Sequence, residues 1–180
     1  MRWVPPPPDL CAWTDGGVVV HAPATLPSTS FPALVGSMLV VRLAGDVHHA
    51  GVGPLPAAAL IGPSTRPSLY HHQGAVHAVG LLVRPEALPA LWHGPAAALV
   101  DGHVALSGLD AGTWAATVQA VRLAPDDARR LGLLFSQLRR ALRRPLQARH
   151  CSQVQRLAQA VRGPLRSACR DLACSPRQLE

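Results

Sequence analysis

The chain has 180 residues, with 17 basic residues against 10 acidic ones and a formal net charge of +7. An apolar content of 48% excludes an intrinsically disordered chain. The longest apolar runs, such as residues 78–83, are too short to cross a bilayer. The opening MRWVPPPPDL lacks the apolar core of a signal peptide, and four cysteines without a CxxC pair fit free thiols in a reducing compartment. We therefore expect a globular, cytoplasmic protein.

The charge is distributed unevenly along the chain. Residues 1–120 carry four arginines against six acidic residues, whereas residues 121–180 carry thirteen arginines against four acidic residues. Such a basic final third is typical of a segment that faces a polyanion such as DNA. It is equally typical of a solvated, arginine-rich helical surface. Composition alone leaves both interpretations open.

The first 85 residues have the pattern of β structure. Short apolar runs at 18–20, 38–43, 57–61 and 76–83 are separated by clusters of Pro, Gly, Ser and Asp. This spacing is typical of a small β-sandwich or barrel. The clearest predicted strand is VHAVGLLV at 76–83, and Pro85 ends it because proline cannot donate to a strand ladder.

From residue 85 onward the pattern is helical. Short helices are predicted at 85–92 and 95–100, each opened by proline, and a third at 112–122. The strongest prediction is a helix over 125–144, whose aspartates at the start and arginines at the end complement the helix dipole. Its apolar face is either core or a dimer seam, and it consists of Leu131, Leu134, Phe135, Leu138, Ala141 and Leu142.

The tail has the layout of a helix-turn-helix. Helices are predicted at 152–161 and 164–172, and Ser175 caps a further helix with Gln178 as its capping-box partner. In a helix-turn-helix the first residues of the second helix meet the DNA. Ser175, Arg177 and Gln178 are therefore the predicted DNA-binding residues.

Several stretches, taken together, resemble AraC-type (arabinose-regulator-like) transcription factors. LRSACRDLACSPRQLE at 165–180 is similar to the opening of their DNA-binding domain, with Ala173 in place of the usual turn glycine. Three further stretches resemble, in order, segments of the sensor domain of one subgroup of these regulators. They are ALIGPSTRP (59–67), HAVGLLVRPEALPALW (77–92) and GPAAALVDGHVALSGL (94–109).

The resemblance implies an α+β fold with three parts. These are a cupin-like β-barrel or sandwich sensor domain at 1–85, a helical linker and dimerisation region at 86–150, and the start of a truncated DNA-binding domain at 151–180. It also implies a small-molecule effector, a homodimer, and DNA as the partner of the full-length form. No cofactor is expected. A single turn of recognition helix cannot remain folded alone, so we do not expect this chain to bind an operator.

The resemblance places the effector in the β domain, where Arg42, Arg66, Tyr70 and His77 are the predicted polar contacts. The histidine pairs at 48–49 and 71–72 raise a rival hypothesis, a small cupin-type metal-dependent enzyme. Adjacent histidines point to opposite faces of a strand, and no glutamate follows at cupin spacing. We therefore predict loop or rim positions for these histidines, no metal ligands and no catalytic residues.

A second rival is a truncated regulator that forms heterodimers with full-length relatives. Stoichiometric zinc, iron or manganese in the purified protein would favour the enzyme. Co-purification with a full-length relative would favour the heterodimer.

Overall fold

The computed structural model describes residues 1–109 and 111–143. The strands within these residues are β1 (Arg2–Val4), β2 (Thr14–Ala22), β3 (Ser28–Phe31), β4 (Ser37–His49), β5 (Gly53–Pro54), β6 (Ala58–Ile61), β7 (Ser68–Val83) and β8 (His103–Ala105). The α-helices are α1 (Leu88–Leu91), α2 (Ala111–Leu123) and α3 (Asp127–Arg143). None of these helices combines the length and the apolar character needed to cross a bilayer.

All eight strands belong to one antiparallel sheet. Its order is β1-β2-β7-β4-β6-β8, with β3 attached to β7 and β5 attached to β4. The long strand β7 is central, because it pairs with β2, β3 and β4. The sheet is open and does not close on itself. The predicted α+β class is confirmed.

The two central strands are longer than the apolar runs that predict them. β7 ends at Val83, as the following Arg-Pro pair predicts, but it begins at Ser68. β4 continues to His49, and in the pairing of β4 with β7 His48 lies opposite His71. The histidine pairs at 48–49 and 71–72 thus lie within strands, 48–49 at the end of β4, so the prediction of loop positions is wrong. It fails because polar side chains occupy these strands where the pattern analysis sought apolar ones.

The helical predictions differ in detail from what is observed. The predicted helix at 85–92 is a 3-10 turn followed by α1, and α2 matches the prediction at 112–122. The segment at 95–100 forms only a 3-10 turn, Ala96–Leu99, and β8 then pairs with β6, so the sheet extends beyond residue 85. α3 begins at Asp127 because Asp126 is its N-cap, accepting a hydrogen bond from the Arg129 N–H at 2.7 Å.

Both faces of the sheet are buried. Val79, Leu81 and Val83 of β7 belong to the main core beneath the helices. The alternate residues Val76 and Ala78 belong to a second apolar cluster on the other face. From α3 the main core takes Leu131, Leu134, Phe135, Leu138 and Ala141. The apolar face of α3 is therefore core of this chain, which decides against a dimer seam there.

The first ten residues contact the far end of α3. Leu10, in the 3-10 turn Pro8–Leu10, is buried in the main core. Asp9 accepts hydrogen bonds from Nε and Nη2 of Arg139 at 2.6 and 2.8 Å, and hydrogen bonding by this side chain is the main cause that lowers the pKa of Asp9. Because this ion pair is solvent-exposed, it contributes little stability. The burial of Leu10 therefore provides most of the attachment.

β4 is irregular where it faces the middle of β7. Its pairing with β7 shifts between Arg42 and Ala44 and again between Ala44 and Asp46. Gly45 lies in this segment with a φ of +74°, and a Cβ there would lie 2.5 Å from the carbonyl oxygen of Ala75. Only glycine tolerates this conformation together with so close a backbone approach. Gly45 therefore fixes the course of residues 42–46.

Replacing Gly45 by alanine is expected to lower the free energy of unfolding by about 3 kcal/mol, because it adds both a left-handed alanine and a backbone clash. Gly74→Ala is the matched control: Gly74 has a φ of +79°, but its Cβ would meet nothing within 4 Å. We expect a loss of about 1 kcal/mol there. Urea unfolding followed by tryptophan fluorescence measures both losses, and equal losses would contradict the close approach at Gly45.

Candidate functional site

Asp127, the first residue of α3, interacts with three basic side chains. Its Oδ1 accepts a hydrogen bond from Nη1 of Arg130 at 2.8 Å and lies 3.0 Å from Nε2 of His77. Its Oδ2 lies 3.4 Å from Nε2 of His21. His21 and His77 are direct partners in the pairing of β2 with β7, so their side chains leave the same face of the sheet. Their rings stack with centroids 4.2 Å apart.

The partners of Asp127 favour its ionised form. Burial raises the pKa of this carboxyl, but hydrogen bonds from Arg130, His77 and His21 outweigh the burial and lower the pKa below 3.8. The side chains of Asp127 and Arg130 are each 16% exposed, so water screens their attraction less than at an open surface. Arg130 also donates from Nη2 to the carbonyl of Ala124 at 2.8 Å, which fixes its guanidinium across the connection between α2 and α3.

Arg130 also lines an open cleft. The cleft has a volume of about 560 Å³ and is bounded by residues 42–46 of β4, Ala57, Arg122 of α2 and Arg130. Three of the lining residues are arginines and one, Asp46, is acidic, so the cleft is cationic. We call it the arginine cleft.

Two guanidinium nitrogens of the arginines that line this cleft are buried and have no hydrogen-bond acceptor among the described residues. They are Nη1 of Arg42 and Nε of Arg130. The Arg42 side chain is only 10% exposed, and its Nη2 donates to Oδ1 of Asp46 at 3.3 Å. Burial is the main cause that lowers the pKa of Arg42. The negative charge of Asp46 raises this pKa, and the positive charge of Arg122 lowers it. A buried donor without an acceptor costs free energy, which a bound anion would recover.

A second polar group lies where the other end of β7 faces β4. Tyr70 lies opposite His49 in the strand pairing, and their rings stack with centroids 4.7 Å apart. The ring of His103 on β8 lies 6.3 Å from that of His49. Burial raises the pKa of Tyr70. Burial also lowers the pKa of His49. The charges of His103 and Arg66 lower this pKa further, whereas the charge of Asp101 raises it. Burial also lowers the pKa of His103, while its hydrogen bond with the backbone of Pro54 opposes this.

The four predicted effector contacts therefore divide between two places. Arg42 lines the arginine cleft. His77 contacts Asp127, and we call Asp127 with its partners His21, His77 and Arg130 the Asp127 group. Arg130 belongs both to this group and to the lining of the cleft. Tyr70 stacks on His49, and we call Tyr70, His49 and His103 the His49 group. The charge of Arg66 helps to lower the pKa of His49. The structure does not bring all four into one pocket. The predicted DNA-binding residues Ser175, Arg177 and Gln178 lie outside the described residues.

Sequence reasoning missed four residues of this region: His21, Arg122, Asp127 and Arg130. His21 and Asp127 are 106 residues apart, so no local spacing connects them. The available signals were weak ones, a histidine directly after the apolar run at 18–20 and an aspartate in the first turn of an amphipathic helix.

No protein-family model matches this chain, and no match to it was found among curated proteins. The functional assignment therefore depends on the chemistry of the site and on the sequence resemblance.

Asp127→Asn is expected to lower the free energy of unfolding by about 2 kcal/mol, because three donors lose an anionic acceptor in a partly buried setting. Asp126→Asn is the matched control, since asparagine caps a helix as well as aspartate does. Both changes remove one charge near the positive end of α3, so their difference isolates the Asp127 group. Urea unfolding measures this difference, and equal losses would mean that the group contributes no stability.

The His49 group predicts a pH dependence of stability. The pKa values of His49 and His103 lie below 6.5 in the folded chain, so the unfolded chain binds protons at a higher pH than the folded chain does. Their contribution is complete above pH 6.5 and is lost as the pH falls through the folded pKa values. His49→Phe keeps a ring against Tyr70 and is expected to reduce the fall in Tm between about pH 7 and pH 5.

The control for this measurement is His71→Phe, which changes an exposed histidine of β7. It is expected to leave the pH dependence of Tm unchanged. If the Tm of the His49→Phe variant fell with pH as steeply as that of the wild type, His49 would not be a source of the pH dependence.

Proposed function

We propose that this chain is the effector-sensing portion of an AraC-type transcriptional regulator and that its effector is a small organic anion bound in the arginine cleft. The observation that carries the proposal is the pair of buried nitrogens, Nη1 of Arg42 and Nε of Arg130, that have no acceptor among the described residues. The regulator assignment is supported by the order of the four sequence stretches that resemble this family. The cupin-like and helix-turn-helix assignments belong to the same proposal.

The composition of the cleft favours an anionic ligand. Arg42, Arg122 and Arg130 outnumber the single acidic residue Asp46, which already accepts from Arg42. A guanidinium presents its donors in a planar fork that matches the oxygens of a carboxylate. We therefore propose a small carboxylate as the effector, with phosphate compounds as the comparison class.

Arg130 would connect ligand binding to α3. Its side chain lines the cleft and also donates to Asp127, one turn earlier in the helix. An anion in the cleft competes with Asp127 for this guanidinium and so changes the charge that Asp127 presents to His77 of β7 and His21 of β2. Such a ligand favours a second position of α3. In the full-length regulator this change would reach the DNA-binding helices that the sequence predicts after residue 150.

The proposal includes a homodimer, as the resemblance implies. Because the apolar face of α3 is buried in the core, such a dimer uses another surface of the chain. Sedimentation velocity of the 180-residue chain tests this part, and a monomer at all accessible concentrations would contradict it.

The effector site is tested by calorimetric titration of the 180-residue chain with small carboxylates, the corresponding neutral amides and phosphate compounds. We expect a carboxylate to bind and its amide not to bind. Arg42→Gln is expected to weaken that binding about tenfold to a hundredfold, because it removes a charged donor. Arg84→Gln is the control, since Arg84 donates to Asp15 outside the cleft at 2.7 Å. Equal effects of the two substitutions would contradict the site.

The regulatory role needs a separate test. The full chain is fused to a complete AraC-type DNA-binding domain, and a reporter gene is measured with and without the carboxylate that binds. We expect a response that Arg42→Gln abolishes and Arg84→Gln leaves intact. If the carboxylate binds but the reporter gene does not respond, the ligand site is supported and the assignment of the chain to a transcriptional regulator is contradicted.

A further inference from the structure

His21, His77 and Asp127 place three metal-binding side chains around one point. Their potential ligand atoms, one from each residue, all lie within 4.8 Å of one another. Ligand atoms held at 2.0–2.2 Å from one ion lie roughly 3 to 3.5 Å apart. Oδ1 of Asp127 lies 3.0 Å from Nε2 of His77 and Oδ2 lies 3.4 Å from Nε2 of His21, so each carboxylate oxygen has one imidazole nitrogen within this range. We propose that these three residues bind a divalent transition-metal ion, and we call them the His-His-Asp site.

The fold holds these side chains in place before any ion binds. His21 and His77 are fixed opposite each other by the pairing of β2 with β7, and their rings are inclined by only 23°. Asp127 is fixed as the first residue of α3, directly after the N-cap Asp126. Little conformational entropy remains to be lost on binding, which favours affinity.

Arg130 is the main competitor of an ion at this site. It donates to Oδ1 of Asp127 at 2.8 Å, whereas the partner of Oδ2 within residues 1–109 and 111–143 is His21, at 3.4 Å. An ion on Oδ2 leaves the bond to Arg130 in place, and a carboxylate ligand is commonly held by such a second hydrogen bond. The guanidinium charge repels the ion and reduces its affinity. We therefore expect binding in the micromolar range.

The donor set indicates the class of metal. Two imidazoles and one carboxylate suit Zn²⁺, Co²⁺, Ni²⁺ or Fe²⁺ better than Mg²⁺ or Ca²⁺, which prefer oxygen ligands alone. Three protein ligands leave a coordination position for water or an anion. The side chain of His21 is 63% exposed, so the ion can enter from solvent. The site does not require that the chain be a regulator.

The test is a titration of the full, chelator-treated 180-residue chain with Co²⁺, whose visible absorption reports its coordination, followed by displacement with Zn²⁺. We expect one Co²⁺ per chain, an absorption band that Zn²⁺ removes, and a Tm that rises with Zn²⁺ but not with Mg²⁺. His21→Gln and His77→Gln are each expected to weaken binding at least about tenfold. His71→Gln, which changes an exposed histidine of β7, is the matched control and is expected to bind as the wild type does.

Two results would overturn the proposal. One is the absence of a Co²⁺ band in the wild type, which would leave the group as an ion-pair cluster. The other is a band that survives both His21→Gln and His77→Gln, which would place the ion elsewhere. If His77→Gln fails to fold, His21→Gln still decides, because it changes a largely exposed side chain. Arg42→Gln is expected to retain Co²⁺ binding, so failure of the arginine cleft and failure of this site are distinguishable.

Discussion

The position of α3 on the sheet depends on one carboxylate. Burial of the apolar face of this helix supplies attraction, but hydrophobic attraction has no preferred direction. The hydrogen bonds between Asp127 and the histidines of β2 and β7 do have one, and they fix where the helix begins on the sheet. Arg130 and Arg122 thereby come to lie beside the irregular segment of β4. Without this constraint the arginine cleft would lose one of its walls.

The same carboxylate leaves Arg130 only partly satisfied. Nη1 and Nη2 of this arginine have acceptors, while Nε has none among the described residues. A buried guanidinium in this condition responds to a nearby anion, because its unpaired Nε gains an acceptor. The Asp127 group and the arginine cleft are thus coupled through one side chain, and a change at either alters the charge that the other experiences.

Local sequence patterns predicted most of the elements but not how far they extend. The strand at 76–83 and the helix at 125–144 were predictable because their apolar periodicity is strong and Pro85 and the aspartates mark their ends. The continuation of β4 to His49 was missed because Gly45 and Asp46 interrupt its pattern at the irregular segment. β8 has only three residues and carries too little pattern to be recognised.

The site was harder to predict because it depends on pairing across the sheet. Sequence reasoning identified Arg42 and His77, which lie near each other, but it could not connect them with His21 or Asp127. It also grouped Tyr70 with His77. Seven steps along an extended strand place these two about 23 Å apart, which is farther than one small ligand spans. Strand register, which single residues do not reveal, decides which of these side chains meet.

The contact between the first ten residues and the far end of α3 has a mechanical consequence. α3 is attached to the sheet at its first turn by Asp127 and to the start of the chain near its last turn by Arg139. If the first attachment is released while the second persists, the helix does not leave the sheet but pivots about its distal end. Displacement is then greatest beside the cleft and least at Arg143.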